Sequence, residues 1–295
     1  MSQHFFVIGD VMLDIDYQGK HRGNEEDAEL CLTSDRRKIY PGGAAWVAWL
    51  LAGAGHEVDL FGVVGPDTEA EDLVMSLPKV NRHLRPLLTS TIVKRRVYTE
   101  RGVYRFDTEN PKTVSWAVTE AAKMLNYPHI HGSRPDCVLF VDYNKGVFWE
   151  HNTELRLIME WLPELGIPTV AAIKPTEYLS LWKDVDLAIC NRKEARELST
   201  EDWNKIWGDH FKRVIITAGA RGVELHGGEA DPYIPIPDFI VDNVQEVGAG
   251  DAFLAALLPH WLPEGDLREA VEYAILRATK YVSMPREDLC SRYFV

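Results

Sequence analysis

The chain has 295 residues, of which 46% are hydrophobic and 26% are charged, and these globular values exclude the disordered and fibrous classes. Its 45 acidic residues exceed its 32 Lys and Arg residues, so the formal net charge of −13 argues against a protein that binds duplex nucleic acid. A local pocket can still hold a small anion, because net charge describes only the far field. The length allows about two domains, or one large α/β domain with an appendage.

Neither a membrane segment nor a targeting segment is predicted. The longest apolar run, residues 44–54, is shorter than the roughly 18 residues of a membrane-spanning helix. The first residues lack the basic and hydrophobic regions of a signal peptide. The four cysteines form no CxxC pair and are typical of reduced, buried residues; they are Cys31, Cys137, Cys190 and Cys290. We therefore expect a cytoplasmic protein without a membrane partner.

The first third of the chain combines an apolar pattern with two polar segments. The pattern is a strand at 5–8, a buried helix at 44–54 and a strand at 58–64. The polar segments are residues 14–40 and 91–108, and the second alternates like a β-hairpin that bends at Arg101-Gly102. Because these two segments do not fit a strand–helix alternation, we predict that they form a small β lid.

From residue 115 onward, helical and strand-like segments alternate. The predicted strands are 137–141, 169–172, 187–190 and 214–217, and the predicted helices are 115–125, 152–162, one beginning near Lys193, 250–258 and 267–282. This alternation predicts a mostly parallel sheet with helices on both faces. The active site of such a sheet lies beyond the carboxyl ends of its strands.

A glycine-rich turn precedes the apolar helix predicted at 250–258. It reads Val247-Gly248-Ala249-Gly250-Asp251. Two glycines let successive N–H groups converge, and a helix N-terminus adds partial positive charge, which suits a transferred phosphoryl group. Asp251 stands where a carboxylate can accept a proton from an attacking hydroxyl. The alternative is a plain glycine turn with Asp251 near the N-cap of the helix.

Three motifs in this order resemble the ribokinase-like (PfkB) sugar kinases. They are Pro41-Gly-Gly-Ala-Ala45, Asn191-Arg-Lys-Glu194 and Gly248-Ala-Gly-Asp251. Three further segments resemble the kinase half of the bacterial heptose-phosphate kinases: residues 9–14, 101–107 and 142–146. The resemblance runs from about residue 4 to residue 282. It implies a single domain over residues 1–295, with a three-layer α/β/α fold and a β lid that often forms a homodimer. It also implies ATP, Mg²⁺ and phosphorylation of a sugar hydroxyl.

The resemblance also implies roles for residues on the nucleotide side. Asp251 would be the catalytic base, and the backbone of Gly248, Ala249 and Gly250 the anion hole. Asn191 and Glu194 would organise Mg²⁺ and phosphates, and their hard oxygens suit that cation. Further nucleotide-side positions are Lys174, Thr217, Gly219 and Gly222. Alternatives stay open: a capped helix at 191–194, a hairpin turn at 217–222, and a solvated lysine at position 174.

On the sugar side, the resemblance points to residues from four segments. Carboxylates suit polyols because each can accept two hydroxyl hydrogen bonds. A lysine can neutralise a phosphate already on the sugar. The positions are Asp10, Asp14, Gly42, Gly43, Asp142 and Lys145, with Arg105 as a weaker candidate from the lid.

Four departures from the family pattern bear on function. Trp46 stands where an asparagine contacts the sugar, and its indole can stack on a sugar or base. Gln245-Glu246-Val247 replaces an Asp and a Thr, Ala172 replaces an Asp, and Arg277 and Lys280 stand where small residues flank the adenine. The leading hypothesis is a heptose 7-phosphate 1-kinase-like enzyme. The alternatives are a nucleoside or other sugar kinase, and a catalytically weak homologue that binds ligands.

Overall fold

A computed structural model describes residues 2–22, 29–109, 114–126, 134–149, 152–174, 181–198, 210–227, 233–236, 247–262 and 265–284. Within them, a nine-stranded sheet has the order β13-β12-β11-β10-β9-β8-β1-β4-β5. Its strands are β1 His4–Gly9, β4 Glu57–Val64, β5 Asn81–Pro86, β8 Cys137–Val141, β9 Thr169–Ala172, β10 Leu187–Asn191, β11 Val214–Thr217, β12 Val223–His226 and β13 Tyr233–Ile234. All pairings are parallel except those of β12 with β11 and β13.

The helices form the outer layers. They are α1 Ala44–Gly53, α2 Thr68–Met75, α3 Trp116–Asn126, α4 Thr153–Glu164, α5 Arg192–Leu198, α6 Ala249–Trp261 and α7 Leu267–Val282. Strand β1 shows why there are two layers, because alternate side chains of a strand point to opposite faces. Phe5 and Val7 pack with α1, α6 and α7, whereas Phe6 and Ile8 pack with α3 and α4. The predicted α/β class with a mostly parallel sheet is confirmed.

A second, four-stranded sheet has the order β3-β2-β6-β7 and contains most of the two segments predicted as a β lid, so it is called the lid below. Its strands are β2 Val11–Arg22, β3 Glu29–Gly43, β6 Val93–Thr99 and β7 Gly102–Thr108. β2 continues directly from Asp10 at the end of β1, and β3 leads directly into α1. The second sheet is therefore attached to the carboxyl edge of the central sheet, where an α/β site is expected.

The order of the strands places a topological switch point at β1. The chain runs from β1 outward to β4 and β5 on one side, and later from β8 to β11 on the other. The crevice at such a switch point is the usual ligand site of an open α/β sheet. Asp10 follows β1 and Asp142 follows β8, so these two carboxylates meet at that crevice.

Three elements were not predicted from the sequence: α2, β5 and β13. In α2 only Leu73 is buried, and β5 is a polar edge strand. Their hydrophobic periodicity is weak because each faces solvent over much of its surface. No helix in the described part of the chain is long and apolar enough to cross a membrane.

Candidate active site

Asp251 lies in the first turn of α6, at the carboxyl edge of the central sheet. Its Oδ1 accepts a 2.8 Å hydrogen bond from the hydroxyl of Tyr143. Burial raises the pKa of Asp251 to about 6, although the Tyr143 hydrogen bond and the charge of Lys94 act in the opposite direction. Such a carboxyl group is ionised at neutral pH but basic enough to take a proton, which is the property of a general base.

The turn before Asp251 depends on a glycine at position 248. Gly248 is the N-cap of α6 and has a φ of 84°, a left-handed conformation that other residues rarely adopt. A β-carbon there would lie 2.5 Å from the Tyr281 hydroxyl and 2.7 Å from Trp46 Nε1. Gly250 has open space around the same position. The loop therefore packs tightly against Trp46 and Tyr281 at Gly248, whereas the space beside Gly250 is open.

The structure corrects the expectation that Trp46 stacks on a sugar or base. Trp46 is only 2% exposed, and its ring stacks on Trp49 with centroids 4.7 Å apart. It also makes edge contacts with Tyr40 and Tyr281. Its large apolar ring is buried in the core, so Trp46 supports the 248–251 turn from inside.

Asp10 has a role that the sequence did not predict. It is buried, and it accepts hydrogen bonds from the backbone N–H groups of Tyr143, Lys145 and Val147 at 2.8–3.2 Å. Its carboxylate thereby fixes the loop that follows β8. These bonds use both oxygens to hold the loop, and binding of a sugar hydroxyl by Asp10 stays a prediction.

Asp142 is a buried carboxylate that faces the candidate cavity. Its Oδ1 accepts a 2.7 Å hydrogen bond from the N–H of Asn144, and its Oδ2 has no hydrogen-bond partner among the described residues. Burial and the neighbouring charge of Asp10 raise the pKa of Asp142 well above its usual value. Oδ2 is therefore a buried polar atom that a ligand can satisfy.

Asn191 and Glu194 form a reciprocal cap on α5. The Asn191 Oδ1 accepts from the N–H groups of Lys193 and Glu194 at 2.9 Å, and Glu194 Oε2 accepts from the Asn191 N–H at 2.8 Å. This is a capping box, so the helix-capping alternative is present in the structure. Glu194 Oε1 instead faces the Lys174 ammonium group at 3.9 Å. Burial raises the pKa of Glu194.

The segment 217–222 forms a tight connection between β11 and β12. Its 3₁₀ turn spans Gly219–Arg221, and Gly219 and Gly222 have positive φ angles of 56° and 107°. A β-carbon at Gly222 would lie 2.3 Å from the carbonyl oxygen of Ile234. The hairpin alternative is thus the local structure, and it leaves Thr217 at the carboxyl end of β11.

One cavity of about 230 Å³ brings together residues from five segments of the chain. The predicted residues Asp142, Lys174, Asn191, Glu194, Thr217, Gly250 and Asp251 line it, together with Tyr143, Ala172, Ile173, Ile189, Cys190 and Leu254. The cavity combines one basic and three acidic side chains with apolar walls, which is typical of a small-molecule site.

Asp14 lies beside this cavity, on the lid strand β2. The buried guanidinium group of Arg96 holds it at 3.3 Å and also lies 3.6 Å from Asp16. A β-carbon at Gly42 would come within 3.1 Å of Asp14 Oδ1, and one at Gly43, where φ is 59°, within 2.4 Å of the Asp10 carbonyl oxygen. The two glycines therefore allow β3 and α1 to begin directly against this acidic corner.

Both of the basic side chains predicted on the sugar side form ion pairs with carboxylates. The Lys145 ammonium group contacts Glu109, and the Arg105 guanidinium group is bound by both oxygens of Asp107. Ligand binding by either one requires that it leave, or share, its carboxylate.

Sequence reasoning missed Lys94 and the side chain of Tyr143. Lys94 extends from β6 of the lid and lies 4.8 Å from the centre of the Tyr143 ring, and Lys174 lies 4.9 Å from the same centre. Burial lowers the pKa of Lys94, although Asp14 and Asp251 partly offset this effect. The alternating lid hairpin contained the signal, because Lys94 and the buried Arg96 lie two residues apart and so on one face.

The other positions that depart from the family pattern lie in different parts of the chain. Gln245 and Glu246 lie outside the described residues, whereas the Val247 carbonyl accepts a 2.8 Å hydrogen bond from Tyr281. Arg277 lines a different cavity, with His56 and His260 between α1, α6 and α7.

The oxygen atoms of this site fit a partly hydrated Mg²⁺ ion. Glu194 Oε1 and the unpartnered Asp142 Oδ2 are hard donors at the cavity wall. The Asn191 amide oxygen already accepts two backbone N–H groups, so its contribution would be indirect.

Comparison with known proteins is consistent with this geometry. Residues 151–285 match the family described as pfkB family carbohydrate kinase. The bifunctional protein HldE of Coxiella burnetii (strain Dugway 5J108-111) is 28% identical over 291 residues, which cover 92% of this chain and 58% of the relative. The chain therefore spans under two thirds of the length of that relative. The ATP-dependent ribose-1-phosphate kinase of Halopiger xanaduensis is 27% identical, with 91% of this chain and 86% of the relative covered.

A solved structure extends the likeness to the whole fold. The structure of Arabidopsis thaliana ribokinase complexed with ribose and ATP superposes with a TM-score of 0.70 and 17% identity, covering 100% of this chain and 99% of that one. The resemblance noted in the sequence and the ribokinase-like fold are both confirmed.

Proposed function

We propose that this chain, which carries a pfkB family carbohydrate kinase domain, transfers the γ-phosphoryl group of ATP to a hydroxyl of a sugar or sugar phosphate. One observation carries the proposal. Asp251, whose pKa is raised to about 6, follows the backbone turn 248–250 and lines a cavity at the carboxyl edge of the central sheet. A base and an anion hole side by side suit phosphoryl transfer to an alcohol.

The chemistry follows from the positions of these groups. The acceptor hydroxyl gives its proton to Asp251 as its oxygen attacks the γ-phosphorus in line, and ADP leaves. The N–H groups at the start of α6 stabilise the charge on the transferred group. The apolar side chains of Ile173, Ile189 and Leu254 in the cavity wall exclude water, which strengthens these interactions.

The ATP phosphates would lie toward Lys174, Thr217 and Glu194, beyond the ends of β9, β10 and β11. Lys174 supplies a positive charge there, and its ammonium group lies 3.9 Å from Glu194 Oε1. Mg²⁺, held by Glu194 and Asp142, would neutralise phosphate charge when bound. Gly219 and Gly222 would shape the turn near the nucleotide.

The acceptor would lie on the lid side, against Asp14 and Gly42. Lys94 supplies positive charge at this corner, and Arg105 and Lys145 would add to it by sharing Asp107 and Glu109, which suits an acceptor that already carries a phosphate. A heptose phosphate is the acceptor that the sequence resemblance favours, and the HldE relative supports it at 28% identity. The ribose-1-phosphate kinase relative makes a pentose phosphate the second candidate.

The lid also supports a homodimer. On the outer strand β7, Val103 and Phe106 are 55% and 51% exposed, and Tyr104 is 41% exposed. An edge strand with exposed apolar residues favours pairing with a second chain. Light scattering should give a dimer for the parent and a monomer for Phe106→Asp. Met75→Asp, at a residue that is 80% exposed on α2, should stay dimeric.

An ADP-release assay across acceptors tests the proposed activity. The panel contains heptose 7-phosphate, ribose and its phosphates, fructose phosphates and nucleosides. We expect turnover with a sugar phosphate and a loss of about 10²–10⁴-fold in Asp251→Asn. Asp266→Asn is the matched control, because asparagine also caps α7. Tight ATP binding without transfer to any acceptor would instead identify a catalytically weak homologue.

A further inference from the structure

The backbone of Tyr143 is anchored to the central sheet through Asp10. Its N–H donates a 2.8 Å hydrogen bond to Asp10 Oδ2, and the N–H groups of Lys145 and Val147 donate to the same carboxylate. Asp10 is buried, and it continues the central strand β1. The backbone that carries the Tyr143 ring is therefore fixed by the core of the sheet.

The ring itself is held by two cations from different parts of the molecule. The ammonium groups of Lys94, from lid strand β6, and Lys174, just after β9, lie 4.8 Å and 4.9 Å from its centre. A cation within about 6 Å of an aromatic centre is attracted by the ring. Tyr143 therefore contacts both a lid-side cation and a nucleotide-side cation.

The hydroxyl at the end of the Tyr143 ring contacts Asp251, the proposed base. The Tyr143 hydroxyl donates to Asp251 Oδ1 at 2.8 Å. An ionised carboxylate can only accept, so the hydroxyl of Tyr143 is the donor in this hydrogen bond. One oxygen of the base is thus occupied before any acceptor binds.

We propose that Tyr143 is a positioning residue for Asp251, holding Oδ1 so that Oδ2 receives the proton of the acceptor hydroxyl. This inference rests on the proposed kinase activity. In the step, the acceptor oxygen forms a bond to the γ-phosphorus, and the bond from that phosphorus to the bridging oxygen of ADP breaks. The acceptor proton moves to Asp251 Oδ2, while the Tyr143 proton stays on Tyr143. The hydroxyl also stabilises the ionised form of the base.

The test compares Tyr143→Phe with the parent enzyme. Phenylalanine keeps the ring that Lys94 and Lys174 contact and removes only the donor. We expect kcat to fall about tenfold at pH 7, with the KM for ATP unchanged. We also expect the acidic limb of the kcat/KM profile to move up by about one pH unit, because the carboxylate loses a hydrogen bond. Tyr273→Phe is the control, since Tyr273 stacks on His260 at the far end of α6.

A second readout does not need turnover. Aspartate labelled with ¹³C at the side-chain carboxyl, with Asp251→Asn to assign the signal, reports the Asp251 titration directly by NMR. An upward shift of about one pH unit in Tyr143→Phe supports the inference, even if none of the tested acceptors is phosphorylated. Unchanged titration and an unchanged pH profile in a folded Tyr143→Phe variant would overturn it. Failure of the kinase proposal would look different. The parent enzyme would be inactive with every acceptor, while Tyr143→Phe would still raise the pKa of Asp251.

Discussion

The indole of Trp46 in α1 packs directly against Gly248 at the start of α6, in the space that a side chain at position 248 would need. A β-carbon on Gly248 would lie 2.7 Å from the indole nitrogen of Trp46. Trp46 is fixed in turn by stacking on Trp49. The turn that carries Asp251 therefore rests on a buried aromatic pair, and its shape depends on the absence of a side chain at position 248.

The first prediction compares the two glycines of this turn. Gly248→Ala should lower the free energy of unfolding by about 2–3 kcal/mol, because it adds a clash to an unfavourable positive φ. Gly250→Ala should leave stability unchanged or raise it by up to about 1 kcal/mol, since Gly250 is helical and has open space. Urea titrations of both variants measure this difference. Equal stability of the two would contradict the packing of Trp46 against the turn.

The second prediction concerns the pH dependence of Asp251. Its pKa is raised from 3.8 to about 6 in the folded protein, so its ionisation opposes folding above pH 4. Asp251→Asn should therefore be more stable than the parent by about 2–3 kcal/mol at pH 8, with no difference near pH 3. The activity of the parent should instead rise with pH, because only the ionised carboxylate can accept a proton. Below pH 6 its kcat/KM should fall about tenfold per pH unit.

Thermal unfolding at pH 3, 5 and 8 checks the stability half of that prediction. Asp266→Asn again serves as the control, because Asp266 is an exposed cap on α7. A stabilisation of Asp251→Asn that is the same at pH 3 and pH 8 would show that ionisation of Asp251 is not its cause.

The third prediction separates the two lysines that contact Tyr143. Lys94 belongs to the lid and lies near Asp14, whereas Lys174 faces Glu194. Lys94→Met should raise the KM for the acceptor about tenfold with little effect on the KM for ATP, and Lys174→Met should do the reverse. Steady-state kinetics with each substrate varied in turn gives both constants. Parallel changes in both constants for either variant would reject the division of the cavity into two sides.

The fourth prediction concerns a cluster remote from the cavity. Asp59 of β4 accepts 2.6 Å hydrogen bonds from His4 and His83. Burial acts to raise the pKa of Asp59, but the two histidines outweigh it and hold the value at about 2. A lowered carboxyl pKa stabilises the fold above pH 4, and this contribution is lost as the pH falls toward 2. It amounts to about 2 kcal/mol.

Asp59→Asn should therefore be less stable than the parent by about 2 kcal/mol at pH 6–7, with the difference vanishing near pH 2. The hydrogen bond and charge of Asp59 also outweigh burial at His4 and raise its pKa above the usual 6.5, so the stabilisation weakens as the pH rises beyond 6.5. Denaturant titrations across this range test the shape of the curve. Asp72→Asn, which removes an exposed ion pair with Arg37, should change stability by less than about 1 kcal/mol.

Regular elements with strong patterns were predictable from local sequence. The apolar run at residues 44–54 and the alternating hairpin at 91–108 indicated α1 and the β6–β7 pair, because burial on one face leaves a period in the sequence. The solvent-facing elements α2 and β5 leave no such period, so they could not be found in this way.

The sequence by itself determined the α/β fold, the order of its motifs and the glycine turn that ends in Asp251, because each depends on residues close together in the chain. Only the tertiary structure decided which side chains meet there. It buried Trp46 beneath the turn, committed Asp10 to the 143–147 loop and brought Lys94 and Tyr143 to the base. These contacts join segments more than 100 residues apart, and their partners are selected by packing, which no local pattern records.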